Sequence, residues 1–119
     1  MFAETPHPPY TAVIFSSRRT AQDEAEYRVV SQRMEQLAAT QPGYLGIEAA
    51  RDPQNGFGVT VSYWTTEDAA RSWKRVAEHL EAQRLGATRW YEAYQVRIAS
   101  VTRTYARRTN QEDGRSRPA

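Results

Sequence analysis

Residues 57–83 read FGVTVSYWTTEDAARSWKRVAEHLEAQ. The apolar period changes inside this stretch. Phe57, Val59, Val61 and Tyr63 alternate with Gly58, Thr60, Ser62 and Trp64, the two-residue repeat of a strand. From Ala69 the repeat lengthens: Ala69, Trp73, Val76, Ala77 and Leu80 fall on one side of a helix. Thr65 or Thr66 is placed to cap that helix, and Glu67 and Asp68 put negative charge on its first turn. A strand therefore runs directly into an amphipathic helix.

Working outward, Tyr44–Arg51 reads as a strand with Leu45, Ile47 and Ala49 on one face. Asp52-Pro-Gln-Asn-Gly56 is a turn made of turn-forming residues, so the two strands form a hairpin. Further upstream, Tyr10–Ser17 is apolar on both faces, with Ala12 and Ile14 on one and Val13 and Phe15 on the other. That pattern predicts a central strand covered on both sides. A helix starts at Thr20, in a Thr20-to-Asp23 capping box. It carries the stripe Tyr27, Val30, Met34 and Leu37, and Pro42-Gly43 ends it.

Downstream, Gly86 is expected to end the second helix and Arg89–Glu92 to form a short helical turn. Tyr94–Tyr105 is the last strand. On it Val96 and Ile98 share one face, and Ala99, Val101 and Tyr105 share the other, which predicts a bulge or a strand that leaves its own sheet. The order β-α-β-β-α-β is that of an α+β, ferredoxin-like fold: an antiparallel sheet with two helices on one face. With both faces of the first strand apolar, the second sheet face is expected to be covered by another copy of the chain.

The totals narrow the function classes. The chain has 119 residues, 39% hydrophobic and 25% charged, which is one globular domain. No apolar run approaches a membrane span, and MFAETPHPPY lacks the basic and apolar regions of a secretory signal. A cytoplasmic protein with no membrane partner is expected. There is no cysteine, so disulfides, a thiolate nucleophile and Cys-ligated zinc are excluded. Net charge is +2, and the basic residues are arginines apart from Lys74. They are interleaved with acids instead of forming a basic face, so no nucleic-acid partner is expected. Residues 1–9, rich in proline, and the basic residues 106–119 are expected to be flexible ends of a domain spanning 10–105.

Taken in order, several segments resemble the antibiotic biosynthesis monooxygenase family of dimeric α+β barrels. They are Gly43-Tyr-Leu-Gly46, Val61-Ser-Tyr-Trp64, Trp73, His79-Leu-Glu-Ala-Gln83, Trp90-Tyr91 and Tyr94-Gln-Val-Arg97. The resemblance implies a homodimer, with a cavity in each subunit between helices and sheet. Members of the family oxygenate aromatic polyketides without metal or flavin, degrade haem, or process other small metabolites. It therefore implies a monooxygenase acting without a cofactor on a small aromatic of phenol or anthrone type. The alternative is a dimeric ligand-binding protein without chemistry. Haem degradation fits less well. Haem-degrading relatives carry an axial histidine ten residues after the helix-two tryptophan and an asparagine near the end of strand one. This chain has Gln83 and Phe15-Ser16-Ser17 at those places.

Within that frame His79 is the candidate catalytic residue. It lies about 120° round the helix from Trp73, at the rim of the apolar stripe, and an imidazole has a suitable pKa for a base. Trp64, Trp73, Gln83 and Tyr91 are the candidate substrate-binding residues. For Trp73 core packing is the competing reading, and for His79 a hydrogen bond to a neighbouring loop. Trp64 faces either the helices or the partner. Trp90 and Tyr91 could cover a planar ligand or close the core. Arg97, in an apolar strand, is expected to pair with Glu48. With two histidines, one of them His7 in the proline-rich end, no metal site is expected. No glycine-rich phosphate loop is present.

Overall fold

The computed structural model describes residues 2–21, 24–83, 90–107, 109–110 and 115–116, with the backbone alone for 79–83, 109–110 and 115–116. The elements run β1 (Tyr10–Arg19), α1 (Glu24–Ala39), β2 (Tyr44–Arg51), β3 (Phe57–Trp64), α2 (Glu67–Gln83) and β4 (Tyr91–Val101). Two short strands, β5 (Thr109–Asn110) and β6 (Arg115–Ser116), pair with each other. The main sheet has the order β2-β3-β1-β4, with β1 antiparallel to both β3 and β4. This is the ferredoxin-like arrangement, and β2 and β3 have the bounds that alternation predicts.

Register settles the faces. Thr11 pairs with Trp64, Val13 with Ser62 and Ile98, and Phe15 with Thr60 and Val96. These residues form the helix-facing side, together with Ile47, Ala49 and Arg51 of β2. Val13, Ala38, Trp64, Ala70 and Trp73 make the buried core there, with Met34, Leu37, Tyr44, Val96 and Ile98 packed around it. Trp64 thus faces the helix layer. Ala70, missing from the expected stripe of α2, is fully buried.

Local chemistry accounts for the helix ends. The Thr66 hydroxyl accepts from the Ala69 amide at 3.1 Å and caps α2. Glu67–Arg71 and Lys74–Glu78 pairs lie along its surface. α1 ends at Ala39; the Thr40 hydroxyl then donates to the Leu37 carbonyl at 2.7 Å. Gly43 has φ +84°, and a Cβ there would lie 2.7 Å from Ala69 Cβ and Thr65 Oγ1. Glycine is needed on both counts, because the chain must turn left-handed while pressed against the start of α2.

Three expectations are corrected. β1 continues past Ser17 to Arg19, and α1 begins at Glu24 instead of Thr20. The Thr20 amide donates to the Trp90 carbonyl at 2.7 Å, which ties it to the start of β4. Asp23 of the expected capping box lies outside the described residues, as do Gly86 and Arg89. Second, Tyr91 and Glu92 are strand: the extension of β1 supplies a pairing edge, and the register shift falls between Arg18 and Arg19, opposite Tyr91 and Ala93. The bulge is therefore at the beginning of β4, away from the residues whose change of face suggested it. Third, Arg97 does not pair with Glu48. The row Arg97–Ile14–Val61–Glu48 puts them on opposite edge strands, roughly 14 Å apart at the usual strand spacing. Arg97 is exposed and donates to Gln95 Oε1 at 3.0 Å.

Among the described residues no helix covers the other sheet face. Ile14, Val59 and Val61 are partly exposed, and Phe57 is 47% exposed. Residues near the N-terminus cover one end. The Ala3 amide donates to Glu48 Oε2, and the Tyr63 hydroxyl donates to Glu48 Oε1, both at 2.8 Å. No described helix is long and apolar enough to cross a membrane.

Candidate functional site

Between α1 and the sheet lies a cavity of about 330 Å³. Ile47, Ala49, Thr60 and Arg51 form its floor, and Tyr27, Val30, Ser31, Met34 and Glu35 of α1 form its roof. Trp73, Trp90 and Tyr91 complete the wall. The size suits a small organic molecule, and the mixture of apolar walls with a few polar groups is typical of ligand sites.

The polar end is built around Tyr27. The Arg19 guanidinium lies 3.8 Å from the centre of its ring, and the Arg51 guanidinium lies 5.9 Å from it. Arg19 is only 8% exposed; it donates to the Trp90 carbonyl and to Glu24 Oε1, both at 2.8 Å. Arg51 donates to the Gly56 carbonyl at 2.6 Å, Ser17 Oγ at 2.9 Å, the Tyr27 hydroxyl at 3.3 Å and the Ser17 carbonyl at 3.4 Å. These acceptors are all neutral. Among the described residues no carboxylate lies within ion-pair distance of Arg51. The cavity thus has the Glu35 carboxylate on its roof, and on its floor a guanidinium that meets only neutral acceptors among the described residues.

Gly58 makes room for that charge. It pairs with Arg51 across β2 and β3, and a Cβ on it would stand 2.7 Å from Arg51 Cζ. Trp90 packs edge-on to Tyr27, with ring centres 5.8 Å apart, and is 2% exposed. Its Nε1–H is buried and has no hydrogen-bond partner among the described residues. Tyr91 also meets Tyr27 edge-on, at 5.9 Å. Toward α2, Tyr44 has its phenol pushed up by burial and then by the charge of Glu35.

The expected site residues are distributed unevenly over this geometry. Trp73 and Tyr91 line the cavity. Trp64 is fully enclosed, stacks on Trp73 with ring centres 5.9 Å apart, and is not among the lining residues. His79 and Gln83 lie on the α2 backbone, and their side chains are outside the described residues. Sequence reasoning missed Arg51, Arg19 and the role of Tyr27. Among the described residues no group of three His, Cys, Asp or Glu is placed to hold a metal ion.

Comparison with known proteins agrees with this architecture. The chain is 45% identical over 111 residues to YqjZ of Bacillus subtilis (strain 168), an uncharacterised protein; the match spans 93% of this chain and 96% of YqjZ. Rv0793 of Mycobacterium tuberculosis has a similar structure, with a TM-score of 0.66 at 11% identity, covering 82% of this chain and 99% of Rv0793. SnoaB, a cofactor-independent oxygenase of Streptomyces nogalater, gives a TM-score of 0.59 at 18% identity, covering 83% of this chain and 97% of SnoaB. At those identities the two structures speak for the fold alone. The model of the family described as antibiotic biosynthesis monooxygenase matches residues 9–85 and so takes in β1 through α2; the chain belongs to that family.

Proposed function

We propose that the cavity between α1 and the sheet binds a small aromatic of phenol or anthrone type and oxygenates it without metal or flavin. One observation carries this reading: the cavity is walled by apolar and aromatic side chains yet has on its floor the guanidinium of Arg51, whose described hydrogen-bond acceptors are all neutral. Such a site accepts a flat apolar molecule and favours it once it has become an anion.

For an anthrone the steps balance with dioxygen alone. A base removes a proton from the reactive methylene, and the carbanion transfers one electron to dioxygen. Superoxide and the carbon radical then join through a new C–O bond, and the peroxide anion takes up a proton. Loss of the second methylene proton breaks the O–O bond, leaving a carbonyl and releasing water. The protein's part is to exclude bulk water, hold the anion and accept the first proton. His79, on the helix that carries Trp73, is assigned as the proton acceptor. Trp73 and Tyr91 are assigned as walls against the aromatic plane. Two copies of the chain are assigned to pair through the uncovered sheet face, where Phe57 stands half exposed.

Oxygen uptake with anthrone tests the reaction. Protein-dependent consumption of one dioxygen per anthrone, with no hydrogen peroxide released, is expected. Binding without uptake would replace the oxygenase with a ligand-binding protein. An unchanged rate in His79→Ala would remove that residue's role. A folded monomer at micromolar concentration in sedimentation would remove the dimer.

A further inference from the structure

Arg97 and Glu48 pose a question that one chain does not answer. Both stand on the uncovered sheet face, in the row Arg97–Ile14–Val61–Glu48, one on each edge strand. Among the described residues neither has an opposite charge within ion-pair distance. Arg97 donates to Gln95 Oε1 at 3.0 Å; Glu48 accepts from the Ala3 amide and the Tyr63 hydroxyl, both at 2.8 Å. These partners are neutral. Arg18, on the same face, shows the local alternative, with Glu92 3.9 Å away. Between Arg97 and Glu48 the row is apolar, and both Ile14 and Val61 are partly exposed. An apolar face of this kind suits a protein partner, but a partner that covers it must bring an acid to Arg97 and a base to Glu48.

We propose that a second copy of the chain docks on this face in one orientation, fixed by ion pairs between Arg97 of each copy and Glu48 of the other. A two-fold axis running along the strands, between β1 and β3, turns the face onto itself and exchanges its edges. It sets β4 over the partner's β2 and keeps every residue in its row. Arg97 then stands over the partner's Glu48 and Ile14 over the partner's Val61, and symmetry supplies the second ion pair. Packed sheets lie about 10 Å apart, a gap that an arginine and a glutamate close from opposite sides. Sheet twist turns the two sets of strands by about 30°, which moves an edge residue by about one position along its strand. An axis running across the strands would instead stack β4 on β4 and β2 on β2, and all four charges would stay without partners. Glu48 is open to the approach, because a cavity of about 600 Å³ borders it together with Tyr63, Ala3 and Tyr105. Arg107 borders that cavity too and does not come within ion-pair distance of the carboxylate. This orientation rests on the reading that two copies pair through the face.

Sedimentation of the full chain and of two charge-reversed variants tests it. Arg97→Glu and Glu48→Lys each bring like charges together at both contacts, so each alone is expected to weaken the dimer at least about tenfold. An equal mixture of the two is expected to recover it, because a dimer made of one of each has opposite charges at both contacts. Circular dichroism checks that each variant is folded. Arg97 is exposed, so Arg97→Glu leaves the packing of the single chain alone. If Glu48→Lys does not fold, Glu48→Gln takes its place, since mixing it with Arg97→Glu also removes the like-charge contacts. A dimer as tight in Arg97→Glu as in the unaltered protein would overturn the orientation and leave the dimer standing, as would a mixture no more dimeric than its components. A folded monomer at micromolar concentration would overturn the orientation and the dimer together.

Discussion

Trp64 and Trp90 are equally enclosed, at 0% and 2% exposure, and the protein treats their indole N–H groups in opposite ways. Trp64 stacks on Trp73 and donates to Ser62 on the same strand. Its surroundings are complete. Trp90 packs against Tyr27 beside the cavity and finds no acceptor among the described residues. The α2 end of the helix layer is built as a dry core. The Tyr27 end borders an open cavity, with the Arg51 guanidinium on its floor. Burial alone does not distinguish core from site, whereas satisfied hydrogen bonds do.

The largest break in this comparison is Trp64→Ala. It empties the centre of the core cluster and removes the face on which Trp73 stacks, so a loss of about 3–5 kcal/mol of stability is expected. Urea unfolding measures it; a change below about 1 kcal/mol would mean that Trp64 is not central to the core.

Next comes Ser62→Ala, which makes Trp64 resemble Trp90 by removing its acceptor. Ser62 is 4% exposed, so water cannot readily replace the hydroxyl. About 1–3 kcal/mol should be lost, and part of it should return in the double variant Ser62→Ala, Trp64→Phe, where no donor remains. Additive losses in the two single variants and the double would show that the bond contributes little.

A finer comparison replaces each tryptophan with phenylalanine. Both changes remove similar ring volume, but only Trp64→Phe breaks a hydrogen bond. Trp64→Phe is expected to cost about 1 kcal/mol more than Trp90→Phe in the ligand-free protein. Equal costs would mean that the Trp90 donor has a partner in solution.

Much of the fold was legible because it depends on local periodicity. β2 and β3 are bounded by turn residues, and their alternation assigns each residue to a face. Periodicity could not say which face meets the helices: that came from the pairing of Trp64 with Thr11, which is remote in sequence. The start of β4 was misread for the same reason, since Tyr91 becomes strand by pairing with Arg19 at the far end of β1. Part of the site was within reach. Ile47 and Ala49 point into the helix layer, and the same parity carries Arg51 there. The signal for Arg19 was cut off by ending β1 at Ser17, two residues short. Trp90's unsatisfied nitrogen could not be seen, because a missing partner is a property of three-dimensional packing.

The smallest effect extends the comparison to the sheet's other face, where the polar group is satisfied and yet sensitive to pH. Tyr63 donates to Glu48, whose second oxygen holds the Ala3 amide. Burial, then that hydrogen bond and the Glu48 charge, and lastly Tyr10, push the Tyr63 phenol from 10.0 up to about 12. Folding therefore favours the protonated phenol. Its contribution to stability is whole below pH 10 and is lost as pH rises toward about 12. Tyr63 is partly exposed, so solvent screens the interaction and keeps the effect small. Other groups titrate in this range, so the informative quantity is the difference between the protein and Tyr63→Phe. The urea midpoint of the unaltered protein should fall more steeply across the window, and the two profiles should converge at its upper end. Parallel profiles would mean that the Glu48 contact does not hold the phenol's proton, and that the N-terminal segment is attached to this face by other means.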